Sequence, residues 1–125
     1  MNPSIRLTFN PYEGVVVRPA LLTDWLELTE KGQQRCVDKM VEMCADLLET
    51  GMNCRYLKWF GGAVGELKGR TSDGGARVYL FRIAENDFAL TRAECKKEDT
   101  ASPERVRWTL EVAALHGEGF DIFNP

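Results

Sequence analysis

The sequence predicts an α+β domain: a small, mostly antiparallel sheet of about four strands, with two helices before the sheet and one after it. Three observations predict this class. A polar turn, Asp73-Gly74-Gly75, separates two strand-like arms. An apolar stripe at helical spacing stops at Gly51, and Ser102-Pro103-Glu104 is typical of a helix start.

The first part of the chain contains a short strand and a helix. Residues 1–13 are predicted to form an irregular arm. Residues 14–18 read as a strand that ends before Pro19, because proline cannot donate a ladder hydrogen bond. Residues 22–28 are predicted to be helical, with Thr23 as the candidate cap.

A longer helix is predicted from about Thr29 to the stop at Gly51. Its apolar side chains share one face at helical spacing. They are Cys36, Val37, Met40, Val41, Cys44, Leu47 and Leu48. Because leucine and valine share this stripe with the sulfur-containing side chains, core packing is favoured over a soft-metal site.

The second half is predicted to hold the sheet. Residues 52–63 are predicted to be a connection, and the hairpin follows it. Residues 88–93 form the next strand, with a charged loop over residues 96–99. The last helix runs from Pro103 to about His116, and residues 117–125 are a tail.

Composition indicates one globular domain across residues 1–125. The chain is 44% hydrophobic and 28% charged, with a formal net charge of −3. No apolar run approaches the length of a membrane span, and no secretory signal is evident. Four dispersed cysteines and one histidine make a poor metal set. We therefore expect reduced, packed thiols, no metal, no cofactor, no membrane association and a cytoplasmic location.

The hairpin carries a local positive charge that the rest of the chain lacks. From Arg55 to Arg82 there are six basic and two acidic residues, a local charge of +4. Strand alternation places Lys68 and Arg70 on one face, together with Glu66. A phosphate is the natural ligand of such a patch.

An ordered series of short motifs resembles the RelE/ParE toxin superfamily, and most closely its phage-derived HigB-like toxins. The series covers residues 22–116 and no single motif in it is specific. Its members are Tyr56-Leu57-Lys58, Gly65-Glu66-Leu67-Lys68, Ala76-Arg77-Val78-Tyr79, Lys96-Lys97 and Ser102-Pro103-Glu104. In place of the glycine-phenylalanine that commonly precedes the lysine pair, this chain has Glu94-Cys95, which puts an acid beside the expected site.

The resemblance implies a RelE-like fold and a ribosome-dependent mRNA endonuclease that a cognate antitoxin holds inactive. In that chemistry the RNA 2′-hydroxyl attacks the adjacent phosphate without a metal, and fixed cations stabilise the developing charge. The matching positions imply catalytic roles for Lys68, Arg70, Arg77 and Lys97. The predicted RNA contacts are Lys96, Arg55 and Lys58. The expected partners are the antitoxin, the ribosome and mRNA, with no direct binding to DNA.

Two other functions stay open, together with a purely structural interpretation. The chain is acidic overall, which favours a non-catalytic protein-binding module that keeps the RelE fold. A ParE-like gyrase inhibitor is the third function, and the paired cations Lys68 and Arg70 count against it. Without the motif series, these cations would be interpreted as the solvated face of a half-exposed sheet.

Overall fold

The fold is a single mixed sheet with helices on both faces. The computed structural model describes residues 5–7, 14–84, 87–97 and 101–117. Within these residues, six strands lie in the order β1-β2-β6-β5-β4-β3. The strands are β1 (Ile5–Leu7), β2 (Gly14–Val17), β3 (Leu57–Gly61), β4 (Val64–Thr71), β5 (Gly74–Ala84) and β6 (Asp87–Lys96). The helices are α1 (Pro19–Glu30), α2 (Gln34–Thr50) and α3 (Pro103–Gly117).

The predicted fold class is confirmed: two helices precede a four-stranded antiparallel sheet and one helix follows it. Strands β3 to β6 form this antiparallel part, in which each strand pairs with the next along the chain. At the other edge β2 runs parallel to β6, and β1 pairs antiparallel with β2. The predicted β4–β5 hairpin is present, but its two-residue turn is Ser72-Asp73 and not the predicted Asp73-Gly74-Gly75. Gly74, with a φ of +141°, and Gly75 are the first residues of β5.

Two predicted irregular stretches contain strands. The predicted connection over residues 52–63 is wrong for β3, and the irregular arm over residues 1–13 is wrong for β1. Strand β3 is a short edge strand that packs tightly on β4 at Gly65. A Cβ atom there would lie 2.6 Å from the carbonyl oxygen of Lys58 and 2.8 Å from the Trp59 ring. Only glycine allows β3 and β4 to approach so closely, so Gly65 is required by the pairing of the two strands and not by a turn.

The helices begin and end for local reasons. Helix α1 starts at Pro19, earlier than predicted, because proline suits the first helical position. Thr23 does not cap this helix, since its hydroxyl donates to the Pro19 carbonyl within the helix. Helix α2 starts at Gln34, later than predicted, and ends as predicted at Gly51, whose φ is +58°. The predicted helix start at Pro103 is confirmed.

The sheet has one fully covered face and one partly covered face. Helices α1 and α2 pack on the first face, and the predicted stripe of α2 supplies much of this core, although Val41 is exposed. The main buried side chains of this core are Leu21, Met40, Met43, Leu47, Leu67, Val78, Leu80 and Leu90. Helix α3 covers only part of the second face, where Val112 packs against Val64, Phe81 and Ala89. The remainder of that face is available to build a site.

The cysteines divide into a bonded pair and two buried thiols. Cys36 on α2 and Cys95 on β6 form a disulfide, so the prediction of reduced thiols is wrong for this pair. Their sequence separation is 59, and only the packing of α2 across the sheet brings them together. Cys44 and Cys54 are free and buried, and burial raises the pKa of each thiol to about 12.

Some predicted features lie partly outside the described residues. The predicted charged loop lies outside the described residues at positions 98–100. The predicted tail lies outside them at positions 118–125, whereas Gly117, its first residue, is the last residue of α3. None of the described helices is long and apolar enough to cross a membrane.

Candidate functional site

The register of three strands places the predicted cations on one face. Lys68 of β4 pairs with Arg77 of β5, and Arg70 pairs with Gly75. Gly75 in turn pairs with Lys96 at the end of β6. Because cross-strand partners share a face and side chains alternate, Lys68, Arg70, Arg77 and Lys96 lie on the same side of the sheet.

These cations line a cavity of about 260 Å³ at the tip of the β4–β5 hairpin. All four predicted catalytic residues and Lys96 contribute to its wall. The lining consists of Lys68, Gly69, Arg70, Thr71, Ser72, Asp73, Gly74, Gly75, Arg77, Lys96 and Lys97. Asp73 is the acidic residue in this lining. The structure therefore brings together side chains that are up to 29 positions apart in the sequence.

Arg77 differs from the other cations because it is enclosed and already paired. It is 2% exposed, and Glu66, which is 0% exposed, lies beside it on the same face. Nη1 of Arg77 donates to Glu66 Oε1 at 2.9 Å and to Oε2 at 2.8 Å. This ion pair neutralises most of the Arg77 charge, so Lys68, Arg70, Lys96 and Lys97 carry the positive potential of the cavity.

The two remaining predicted RNA contacts do not line the cavity. Arg55 is exposed and stacks on Tyr56, with its guanidinium carbon 4.8 Å from the ring centroid. Lys58 is exposed on β3, opposite Glu66 in the strand register. Lys58 therefore shares the face of the cavity at the outer edge of the sheet.

A buried polar network lies next to the Arg77–Glu66 pair, on the same face of the sheet, because Tyr79 is opposite Glu66 and Glu94 is opposite Arg77 in the strand register. The Tyr79 hydroxyl donates to Glu94 Oε2, which also accepts a hydrogen bond from the Ser102 backbone N–H at 3.1 Å. Arg105 of α3 lies 3.8 Å from Glu94 Oε1. Burial, reinforced by the hydrogen bond to Glu94, raises the pKa of Tyr79, so the phenol stays protonated and holds the start of α3 against the sheet.

Sequence reasoning did not assign Glu66, Tyr79 and Glu94 to the site. The hairpin register carries part of the missing signal. A two-residue turn pairs Glu66 with Tyr79 and Lys68 with Arg77, which makes Glu66 and Arg77 diagonal neighbours on one face. Glu94 was noted in the sequence as an acid beside the expected site, but its partners could not be predicted, because Tyr79 of β5, Ser102 and Arg105 of α3 meet it only in the folded protein.

The aromatic side chains of Trp59 and Trp108 and the single histidine lie outside the cavity. Trp59 and Trp108 pack against the two cores. The rings of His116 and Phe81 lie 5.8 Å apart between centroids, at the covered end of the second face. Among the described residues, no group of three or more His, Cys, Asp or Glu side chains could hold a metal ion.

The chain was compared with protein-family models, curated proteins and solved structures, and none of them matches it. The chemistry that this site can perform is therefore inferred from the residues that form it. They form an open cavity with four unburied cationic side chains, backed by a buried ion pair and a buried phenol–carboxylate pair.

Proposed function

We propose that this chain is the toxin of a type II toxin–antitoxin pair and that it cleaves mRNA on the ribosome, in the cytoplasm, without a metal. The observation that carries the proposal is the convergence of Lys68, Arg70, Arg77, Lys96 and Lys97 on one cavity. In a chain with a net charge of −3, such a concentration of cations favours an anionic ligand at this point. A phosphodiester of RNA is the ligand that the motif resemblance favours.

The proposed reaction begins when the RNA 2′-hydroxyl attacks the adjacent phosphorus. A P–O bond to the 2′-oxygen forms and the bond to the 5′-oxygen breaks, which leaves a 2′,3′-cyclic phosphate. The 2′-proton passes to water, and the leaving 5′-oxygen takes a proton from water. Negative charge increases on the phosphate oxygens in the transition state. Fixed cations around the phosphate stabilise this charge more than they stabilise the ground state, which is how they accelerate cleavage.

The cations would divide this work unequally. Lys68, Arg70 and Lys97 would contact the phosphate, and Lys96 and Lys58 would contact neighbouring phosphates along the strand. Arg77 would act mainly through its ion pair with Glu66, which fixes the orientation of its guanidinium in the cavity wall. Arg55, at the start of β3, would extend the contact with RNA beyond the cavity.

The same ion pair supports a second candidate function. The Arg77–Glu66 pair removes the exposed arginine that a cleavage site of this kind would use as its main phosphate clamp. A non-catalytic module that binds an acidic partner surface would need only the exposed lysines and Arg70. A ParE-like gyrase inhibitor is disfavoured by the paired Lys68 and Arg70 cations on β4.

Ribosome co-sedimentation across a salt series tests the phosphate contacts. Each contact with single-stranded RNA contributes roughly −0.7 to the slope of log K against log salt. We expect Lys68→Ala, Arg70→Ala and Lys97→Ala each to weaken binding and to flatten this slope. Arg107→Ala is the matched control, because Arg107 is an exposed cation on α3 outside the cavity. Identical curves for all these proteins would contradict the proposal.

Induction in cells separates cleavage from binding. We expect wild-type induction to arrest growth and primer extension to reveal new mRNA ends, and co-expression of the antitoxin to restore growth. Lys68→Ala and Arg70→Ala should reduce both readouts while Arg107→Ala does not. Ribosome binding that depends on the cavity without any new mRNA ends would favour the binding module.

A further inference from the structure

The Cys36–Cys95 disulfide lies directly beneath the hairpin tip that forms the cavity. Thr71 Oγ1 is 3.4 Å from Cys36 Sγ, and the Asp73 carbonyl oxygen is 3.5 Å from Cys95 Sγ. A Cβ atom on Gly74 would meet Cys95 Sγ at 3.0 Å. The two sulfur atoms therefore fill the space between the tip, α2 and β6.

The disulfide joins two elements that hold the tip from either side. Cys36 is in the first turn of α2, where the neighbouring Arg35 donates its backbone N–H to Asp73 Oδ2 at 3.2 Å and its guanidinium to Ser72 Oγ. Cys95 precedes Lys96, which lines the cavity. Breaking the sulfur–sulfur bond would remove the covalent link between the α2 side of the tip and the strand that carries Lys96.

The two bonded cysteines differ in exposure. Cys36 is 0% exposed, whereas Cys95 is partly exposed and lines a second cavity of about 300 Å³. This second cavity lies beside the C-terminal part of β6, beyond the residues that pair with β2, and between α1 and the start of α3. Asp24, Leu28 and Arg105 are in its wall. Of the two cysteines, Cys95 is therefore the one that a small thiol would reach first, because Cys36 is fully buried.

We propose that reduction of the Cys36–Cys95 disulfide, by attack at Cys95, weakens anion binding in the hairpin cavity. The thiolate of a dithiol reductant attacks Cys95 Sγ, forms a mixed disulfide and releases Cys36 as a thiolate, which takes up a proton. The second thiol of the reductant then displaces Cys95 and closes the disulfide of the reductant. Two electrons pass from the reductant to the protein, and the two cysteines end as thiols.

The effect on binding follows from the fraction of molecules with a formed cavity. Apparent affinity falls in proportion to that fraction. If release of the tip lowers the fraction to between one tenth and one third, binding weakens by about three- to tenfold. This inference rests on the proposed function, because it assigns a redox control to the same cavity.

The test compares the oxidised and reduced full-length protein. The probe is a fluorescein-labelled single-stranded RNA of twelve nucleotides, and its anisotropy reports the dissociation constant. We expect two free thiols per chain in denaturant before reduction and four after treatment with dithiothreitol, with binding about three- to tenfold weaker in the reduced protein. Cys36→Ser/Cys95→Ser should bind like the reduced wild type and be insensitive to dithiothreitol, although it keeps Cys44 and Cys54.

Several outcomes would overturn the proposal. Four free thiols in air-oxidised wild type would show that the bond does not form. Equal RNA affinity of the oxidised and reduced forms would show that the bond does not control the cavity. If even the oxidised protein does not bind RNA, the proposed function fails. Amide hydrogen exchange at residues 72–75 then tests whether the disulfide holds the hairpin tip in place. Faster exchange after reduction supports this role of the disulfide, and unchanged exchange overturns it. If the double variant does not fold, chemical reduction of the wild type provides the same comparison.

Discussion

Replacing Arg77 with methionine removes the cationic half of an enclosed ion pair and keeps a side chain of similar length. Arg77 is 2% exposed and Glu66 is 0% exposed, with contacts of 2.8 and 2.9 Å between them. Removing one partner of a buried pair costs about 3–5 kcal/mol, because the remaining charge is left uncompensated. Native domains are stable by roughly 5–15 kcal/mol, so this variant should lose a large fraction of its stability.

Urea denaturation at pH 7 measures the loss. With an m-value of about 2 kcal/mol/M, the midpoint should fall by about 1.5–2.5 M. The double variant Arg77→Met/Glu66→Met should recover most of this loss, because an apolar pair of similar volume leaves no buried charge. Arg70→Met is the control, since Arg70 is exposed and its replacement should change stability by less than about 0.5 kcal/mol.

The reasoning on this pair is wrong under either of two results. In the first, the free energy of unfolding of Arg77→Met lies within about 1 kcal/mol of that of the wild type. This result would mean that the Glu66 carboxylate finds another compensating partner when Arg77 is removed. In the second, the double variant is no more stable than Arg77→Met. An unfolded Arg77→Met variant would also fail to bind RNA. A loss of RNA binding by this variant is therefore assigned to the cavity only under conditions in which the variant is folded.

Three further predictions concern packing, the disulfide and pH. Gly65→Ala should destabilise the protein by about 1–3 kcal/mol in a urea titration, because the added Cβ atom would lie 2.6 Å from the Lys58 carbonyl oxygen and 2.8 Å from the Trp59 ring. Gly61→Ala is the control and should have little effect, because a Cβ atom there would have no neighbour within 4 Å. Reduction of the Cys36–Cys95 bond should lower the free energy of unfolding by about 4 kcal/mol, because the unfolded chain gains entropy when a loop with a sequence separation of 59 is opened. Thermal unfolding with and without dithiothreitol measures this loss, and equal unfolding midpoints would contradict the prediction. The pKa of Cys44 and Cys54 is raised to about 12, so these thiols ionise first in the unfolded chain. Their contribution to stability should be fully present below about pH 9 and should fall above it by roughly 1.4 kcal/mol per pH unit per thiol, so the stability lead of the wild type over Cys54→Ala should shrink between pH 8 and 10.

The sequence predicted the parts of the fold that depend on local patterns. The existence of the β4–β5 hairpin (though with its turn at Ser72-Asp73, one residue before the predicted turn), the end of α2 at Gly51 and the start of α3 at Pro103 each follow from backbone preferences within a few residues. Strand β3 was missed although it pairs with the neighbouring β4, because Leu57-Lys58-Trp59-Phe60-Gly61 shows no clean alternation of apolar and polar residues. The pairing of β2 with β6 was missed because the paired residues lie more than 70 positions apart in the sequence. The disulfide was missed for the same reason, since helix packing joins Cys36 to Cys95.

The cations of the cavity were easier to predict than their partners. Alternation in a hairpin is enough to place Lys68 and Arg70 on one face, and the lysine pair follows the next strand. The burial of Arg77 was not predictable in this way, because strand alternation gives the face of a side chain and not how much of that face the folded chain encloses. Glu66 lies within the basic stretch and Glu94 precedes the lysine pair, and in the structure each of these carboxylates has a buried partner, Arg77 and Tyr79 respectively.

The acidic chain and the basic cavity should act on RNA at different distances. The Debye length is about 30 Å at 0.01 M salt and about 8 Å at 0.15 M, so the net charge of −3 repels RNA mainly at low salt. The cavity cations act at contact distance and are screened less. Association rates should therefore depend on salt only weakly, while dissociation carries most of the salt dependence of affinity. A protein whose RNA binding came from a general basic surface would instead associate much faster at low salt, and stopped-flow mixing separates these two behaviours.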